Sequence, residues 1–172
     1  MDPWQIALVV AGLGALFGLR RASTKRRPKR QTWTPAPGPR KPYPGDYRGK
    51  VTLLYSPKPD GVPDPGEVVW TWVPFQEDPT NGKDRPVLLI GKDGAWLLGL
   101  MLTSKDHDND HAHRERWIDI GTGPWDRQRR PSEARLDRII RVDPRAVRRE
   151  GATLPAPVFA EVSRSLSELH HW

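Results

Sequence analysis

"DRPVLLIGKDGAWLLGLMLTSK" (Asp84–Lys105) decides how this chain folds. It holds two apolar runs, Pro86–Gly91 and Ala95–Thr103, separated by Lys92-Asp93-Gly94. Runs of this length bounded by turn residues read as strands with both faces buried. The tight turn makes the two an antiparallel hairpin.

The sequence on either side continues the pattern. "EVVWTWVPF" (Glu67–Phe75) is β-branched and aromatic, a strand by composition, and "EDPTNGKD" joins it to the hairpin with turn chemistry at Asn81-Gly82. "RWIDIG" (Arg116–Gly121) and "DRIIRVD" (Asp137–Asp143) supply a fourth and a fifth strand. Closely spaced strands joined mostly by short loops predict a mainly β fold, a small antiparallel barrel or strongly bent sheet. "PRAVRRE" (Pro144–Glu150) predicts one helical turn. Beyond Pro157, the residues Val158, Phe159, Val162, Leu166 and Leu169 recur at helical spacing, so a C-terminal helix caps the sheet with one apolar stripe. The folded part is placed at residues 66–172, long enough for its own core.

The N-terminal part is of another kind. Pro3–Leu19 carries no charge, and as a helix it spans about 25 Å, the short end of what crosses a bilayer. Seven of the eleven residues 20–30 are basic, and none precedes the apolar run. That asymmetry predicts a membrane anchor at residues 1–19, with Met1 outside and the rest of the chain cytoplasmic. A cleaved signal peptide carries its basic residues ahead of the apolar run, the reverse order. A buried or peripheral helix is the other alternative. Residues 20–65, basic and then rich in Pro and Gly, read as a linker, with Lys50–Tyr55 as an isolated strand.

Charge must be divided before it is interpreted. The net +7 arises from eleven Lys/Arg against Asp46 in residues 20–50, whereas residues 51–172 hold 17 Lys/Arg against 19 Asp/Glu. The high pI therefore does not mark the folded part as a nucleic-acid binder. Within it, residues 127–149 do concentrate nine arginines. The chain has no cysteine, which excludes disulfides and thiolate zinc sites. "DHDNDHAH" (Asp106–His113) holds metal-ligating residue types. It lacks a helical His-x-x-x-His frame and an apolar surround, so it reads as a solvated loop, with His107 or His111 as proton donors of last resort.

Four motifs in order, "PGEVVW", "KDRPVLLIG", "LTSK" and "SEARLDRIIRVD" before a final helix, resemble the PemK/MazF family of toxin endoribonucleases over residues 65–169. The resemblance implies an SH3-like barrel, commonly a homodimer. It implies metal-independent cutting of single-stranded RNA by 2′-hydroxyl attack, with no cofactor, and restraint by an antitoxin protein. By motif match, Arg85 and Thr103 are the first catalytic candidates, and Asp137 is a proton acceptor. Ser104, Lys105, Arg135 and Glu67 are substrate-binding candidates. Arg85 offers a planar fork of donors suited to phosphate, and Pro86 fixes the backbone beside it. Arginine holds its protons too firmly to act as a base, so Arg85 is assigned to charge stabilisation. Trp117 alternates with Ile118 and Ile120, which predicts core packing. The chain departs from the family pattern in its histidine-free loop after the first strand, in "GKDGAW" after the second, and in its N-terminal apolar run. A non-catalytic barrel of the same ancestry, binding RNA or protein at the membrane, is the alternative.

Overall fold

The computed structural model describes residues 42–58, 60–107 and 114–172. The expected anchor at residues 3–19, the linker up to Lys41 and the Asp108–His113 part of the histidine loop lie outside them.

The hairpin at the centre is β2 (Gly82–Asp93) and β3 (Trp96–Thr103). β1 (Glu67–Pro74), β4 (Trp117–Gly121), β5 (Ser132–Val142) and β6 (Arg149–Thr153) complete one six-stranded sheet in the order β4-β5-β3-β2-β1-β6, with every pairing antiparallel. Bulges interrupt four of the five ladders, at Val68/Val69, Leu89/Gly91, Leu100/Leu102 and Asp119/Gly121. Each adds local bend and twist. The result is a curled half-barrel whose edges, β4 and β6, do not pair with each other.

The unbroken apolar run in β2 has a physical reason. Val87, Leu88, Leu89 and Ile90 are all fully buried, because both faces of the sheet are covered. Leu88 and Ile90 face one cluster with Leu98, Leu100, Leu136 and three residues of α1 (Ala156–His170): Phe159, Val162 and Leu166. Val87 and Leu89 face a second with Val69, Val73, Leu97, Ile140 and Val142. Gly99 permits the close approach of β2 and β3, since a Cβ there would stand 2.4 Å from Val87 Cγ1. The helix ends where His171 turns left-handed and its N–H bonds the Glu168 and Ser167 carbonyls. Among the described residues no helix is long and apolar enough to cross a membrane.

Three expectations change. The predicted turn at Pro144–Glu150 is a 3-10 turn only over Pro144–Ala146, and the chain then enters β6, which pairs with β1. "REGAT" has no apolar alternation to announce an edge strand held by backbone hydrogen bonds alone. β5 starts at Ser132, five residues earlier than predicted, so Arg135 and Asp137 lie within a strand. Residues 42–58 pack on the domain and are no free linker. Val51 is buried, Tyr47 N–H bonds Ile139 O at 2.8 Å, and Leu54 N–H bonds Ile90 O at 3.0 Å. Lys50–Tyr55 forms no strand; it runs beside β2, where Gly91 leaves room for the Thr52 carbonyl.

Candidate functional site

The ladders align a row of polar side chains across five strands. Thr71 of β1 lies opposite Arg85 of β2. Val87 lies opposite Met101, so Arg85 and Thr103 are the next positions on the same face, two residues along each strand. Thr103 lies opposite Glu133 of β5, and Glu133 opposite Asp119 of β4. Opposed residues share a face with Cβ atoms about 5 Å apart. The row therefore reads Thr71, Arg85, Thr103, Glu133, Asp119.

Arg85 and Thr103 also line one cleft of about 200 Å³, together with Asp84, Ser104, Asp126 and Arg130. The half-buried Arg85 guanidinium makes no hydrogen bond or ion pair among the described residues, although Asp84 is its chain neighbour. Asp84 is taken by Arg148. Thr103 Oγ1 accepts the Lys105 N–H at 3.1 Å, which leaves its own proton to donate outward. Unspent donors on a guanidinium and a hydroxyl, converging from adjacent strands, suit a phosphate. Ser104 is exposed at the rim, and Lys105 lines the adjoining cleft with Ser104, Asp119 and Glu133.

Sequence reasoning missed Arg130 and Asp126. Asp126 accepts from the Gln128 and Arg130 backbone and from Arg130 Nε at 2.7 Å. The Arg130 hydrogen bond holds the Asp126 carboxyl below the usual carboxylate range, although its slight burial opposes this. The arginine-rich stretch pointed to this loop, but which arginine reaches the cleft depends on the turn that Asp126 closes.

The remaining predicted residues fall elsewhere. Arg135 donates to Asp137 at 2.5 Å and 3.1 Å and to Gln76 at 3.2 Å. The Asp137 hydrogen bond tightens Arg135's hold on its proton, against the desolvation it suffers. Arg116 adds a third contact to Asp137 at 3.7 Å. Asp137 lines a different cleft, with Asp46, Gln76, Arg138 and His170, and both its oxygens are committed. Glu67 departs from its expected role at the site. It is buried and accepts the Lys58 N–H at 2.9 Å and the Asp64 N–H at 3.2 Å, so it anchors the segment before β1. Trp117 is half-buried and outside the core. Its ring stacks on His107 at 3.9 Å with 2° between planes, and Arg135 lies 6.0 Å from its centroid. Trp125 is the buried one, donating Nε1 to Ser132 Oγ at 3.1 Å.

His107 itself is held firmly. Its Nδ1 lies 2.6 Å from Glu133 Oε2, and its backbone N–H donates to Glu133 Oε1 at 3.0 Å. No three acidic or histidine side chains group to hold a metal among the described residues.

Several solved structures are similar to this chain. MazF (Form-I) from Deinococcus radiodurans is 25% identical, covers 66% of this chain and 100% of its own, and superposes with a TM-score of 0.48. MazE-MazF (Form-II) from the same organism is 23% identical over 64% of this chain and 96% of its own, TM-score 0.46. An endoribonuclease in complex with its cognate antitoxin from Mycobacterial species is 12% identical over 62% of this chain and 92% of its own, TM-score 0.47. No curated protein matches the chain in sequence. A family model does match, over residues 64–170, which takes in every described strand and all of α1. The chain belongs to the PemK-like, MazF-like toxins of type II toxin-antitoxin systems.

Proposed function

We propose that this protein is a metal-independent endoribonuclease, the toxin of a toxin-antitoxin pair, that cuts single-stranded RNA by attack of a 2′-hydroxyl on the adjacent phosphate. The observation that carries this reading is the Arg85 guanidinium, without a partner among the described residues, beside Thr103 in one cleft. The two donate to the non-bridging oxygens as negative charge develops there, with Ser104 and Lys105 at the rim. Charge stabilisation of this kind is commonly the largest single contribution to such catalysis. Arg130 and the exposed Arg127 and Arg129 extend the positive surface along an RNA strand. Arg135, held by Asp137, is a further phosphate ligand.

Family membership supports an antitoxin protein as partner and a homodimer as the working form. The uncharged run at residues 3–19, followed by basic residues 20–30, supports a single-pass anchor that holds the domain at the cytoplasmic face of the membrane. The test is incubation of the purified protein with RNA in EDTA. Cleavage leaving 2′,3′-cyclic phosphate and 5′-hydroxyl ends, lost in Arg85→Ala and Thr103→Ala, is expected. Cleavage that needs added divalent metal would overturn the mechanism, and tight binding without cutting would favour a binding module.

A further inference from the structure

The attack needs a proton acceptor, and Arg85 cannot serve. Asp137 stands in another cleft with both oxygens engaged by arginine. The side chain built for the task is His107. Glu133, only 7% exposed, is the cross-strand partner of Thr103 and so projects on the same face of the sheet. It grips His107 twice, at the backbone N–H and at Nδ1, and Trp117 fixes the ring plane by parallel stacking. With Nδ1–H donated to the carboxylate, the imidazole presents its lone pair at Nε2. Nε2 makes no hydrogen bond among the described residues. His107 opens on a cleft of about 180 Å³ that it shares with Glu133 and Asp119. Those two also line the cleft of Ser104 and Lys105, and Ser104 lines that of Arg85 and Thr103. The three clefts are neighbours that share these lining residues.

We propose that His107 is the general base of the reaction, with Glu133 its positioning residue; this rests on the endoribonuclease reading above. The proton of the attacking 2′-hydroxyl passes to His107 Nε2 as the O2′–P bond forms and the P–O5′ bond breaks. The leaving 5′-oxygen takes its proton from water, and the imidazolium returns its own to solvent. A buried carboxylate that orients an imidazole and stabilises its charged form is a recurrent solution for such a base. Among the described residues, the charged groups around His107 are Glu133 from β5, Asp119 from β4, Arg114 from the 3-10 turn, Arg135 behind Trp117, and Lys105 and Asp106 on its own segment.

The test uses the full chain in EDTA with an RNA oligonucleotide that the wild-type protein cleaves. His107→Ala lowers the rate about a hundredfold or more, and imidazole added to the buffer restores part of it. Arg85→Ala is also slow, but imidazole does not restore it. His107→Gln, which is polar but has no basic nitrogen, is as slow as His107→Ala. All three bind a 2′-deoxy-substituted, uncleavable oligonucleotide as a folded protein does. Glu133→Gln shifts the rising limb of the pH–rate profile to lower pH, because loss of the anion favours the neutral ring. A His107→Gln variant that cleaves as fast as wild type overturns the base assignment and leaves the nuclease standing. A loss in His107→Ala that imidazole does not restore also overturns it. Absence of cleavage by the wild-type protein overturns both.

Discussion

Asp46 grips Arg138 with both carboxylate oxygens, at 2.9 Å and 3.1 Å, across 92 residues of sequence. The guanidinium is 6% exposed and donates its remaining edge to Pro74 O at 2.9 Å. The pair fastens the segment before β1 to β5, and Arg141 reinforces it by donating to the Gly45 and Asp46 carbonyls. Removing one partner of a buried pair leaves an uncompensated charge, which costs about 3–5 kcal/mol where burial is complete. Asp46 is less buried than that, so Asp46→Ala is expected to lower unfolding free energy by about 2–3 kcal/mol in a urea titration.

The same cluster responds to pH at both ends. Burial pushes the Asp46 carboxyl up, but hydrogen bonds from Arg138 and Tyr43, with the Arg138 charge, bring it below its ordinary value. A depressed carboxyl contributes stability above its unfolded value, and that contribution is lost as pH falls through the folded one. Burial and the hydrogen bond to Asp46 raise the Tyr43 phenol. Its contribution is present below the ordinary tyrosine range and disappears as pH rises through the raised value. Thermal melting of Tyr43→Phe against wild type is therefore expected to differ least at strongly alkaline pH.

Glu67 lies in the family-like motif that opens β1, yet its carboxylate serves the backbone. Glu67→Ala leaves two N–H groups without that acceptor and is expected to cost about 1–3 kcal/mol of stability. Single-turnover RNA cleavage by the folded fraction should be unchanged. A slowed chemical step at intact stability would return Glu67 to the site.

Lysine in place of Arg85 keeps the charge but loses the planar fork. Arg85→Lys is expected to lower cleavage by about tenfold or more, with little change in stability, since the side chain has no partner among the described residues. Equal rates for the two would mean that Arg85 provides field alone.

The strands were legible because their residues are β-branched or aromatic and bounded by Gly, Asn and Asp, chemistry that acts locally. The packing of residues 42–58 was not. A Pro- and Gly-rich segment reads as extended chain, and its attachment depends on single contacts such as Tyr55 Oη to Leu154 O, 99 residues away. β6 escaped for a related reason, since an edge strand held by main-chain hydrogen bonds needs no apolar pattern. At the site, Arg85 and Thr103 were legible from the family motifs. Their alignment with Glu133 was not, because cross-strand register is set by bulges that no local composition announces. Trp117 was read as core from its alternation with Ile118 and Ile120. It lies on the opposite side of β4 from Ile120, where His107 and Arg135 flank it.

Thr103 is the last residue of β3, just past the bulge at Leu100/Leu102 and two residues before solvent-exposed Lys105. Position along β3 is thus written in odd and even numbers. Inserting a single residue between Leu100 and Leu102 would trade a hydroxyl for an isobutyl group at the position of Thr103. Lengthening the chain after Lys105 would leave that parity untouched. The architecture thereby separates what must stay fixed, the chemistry, from what selection can freely rewrite.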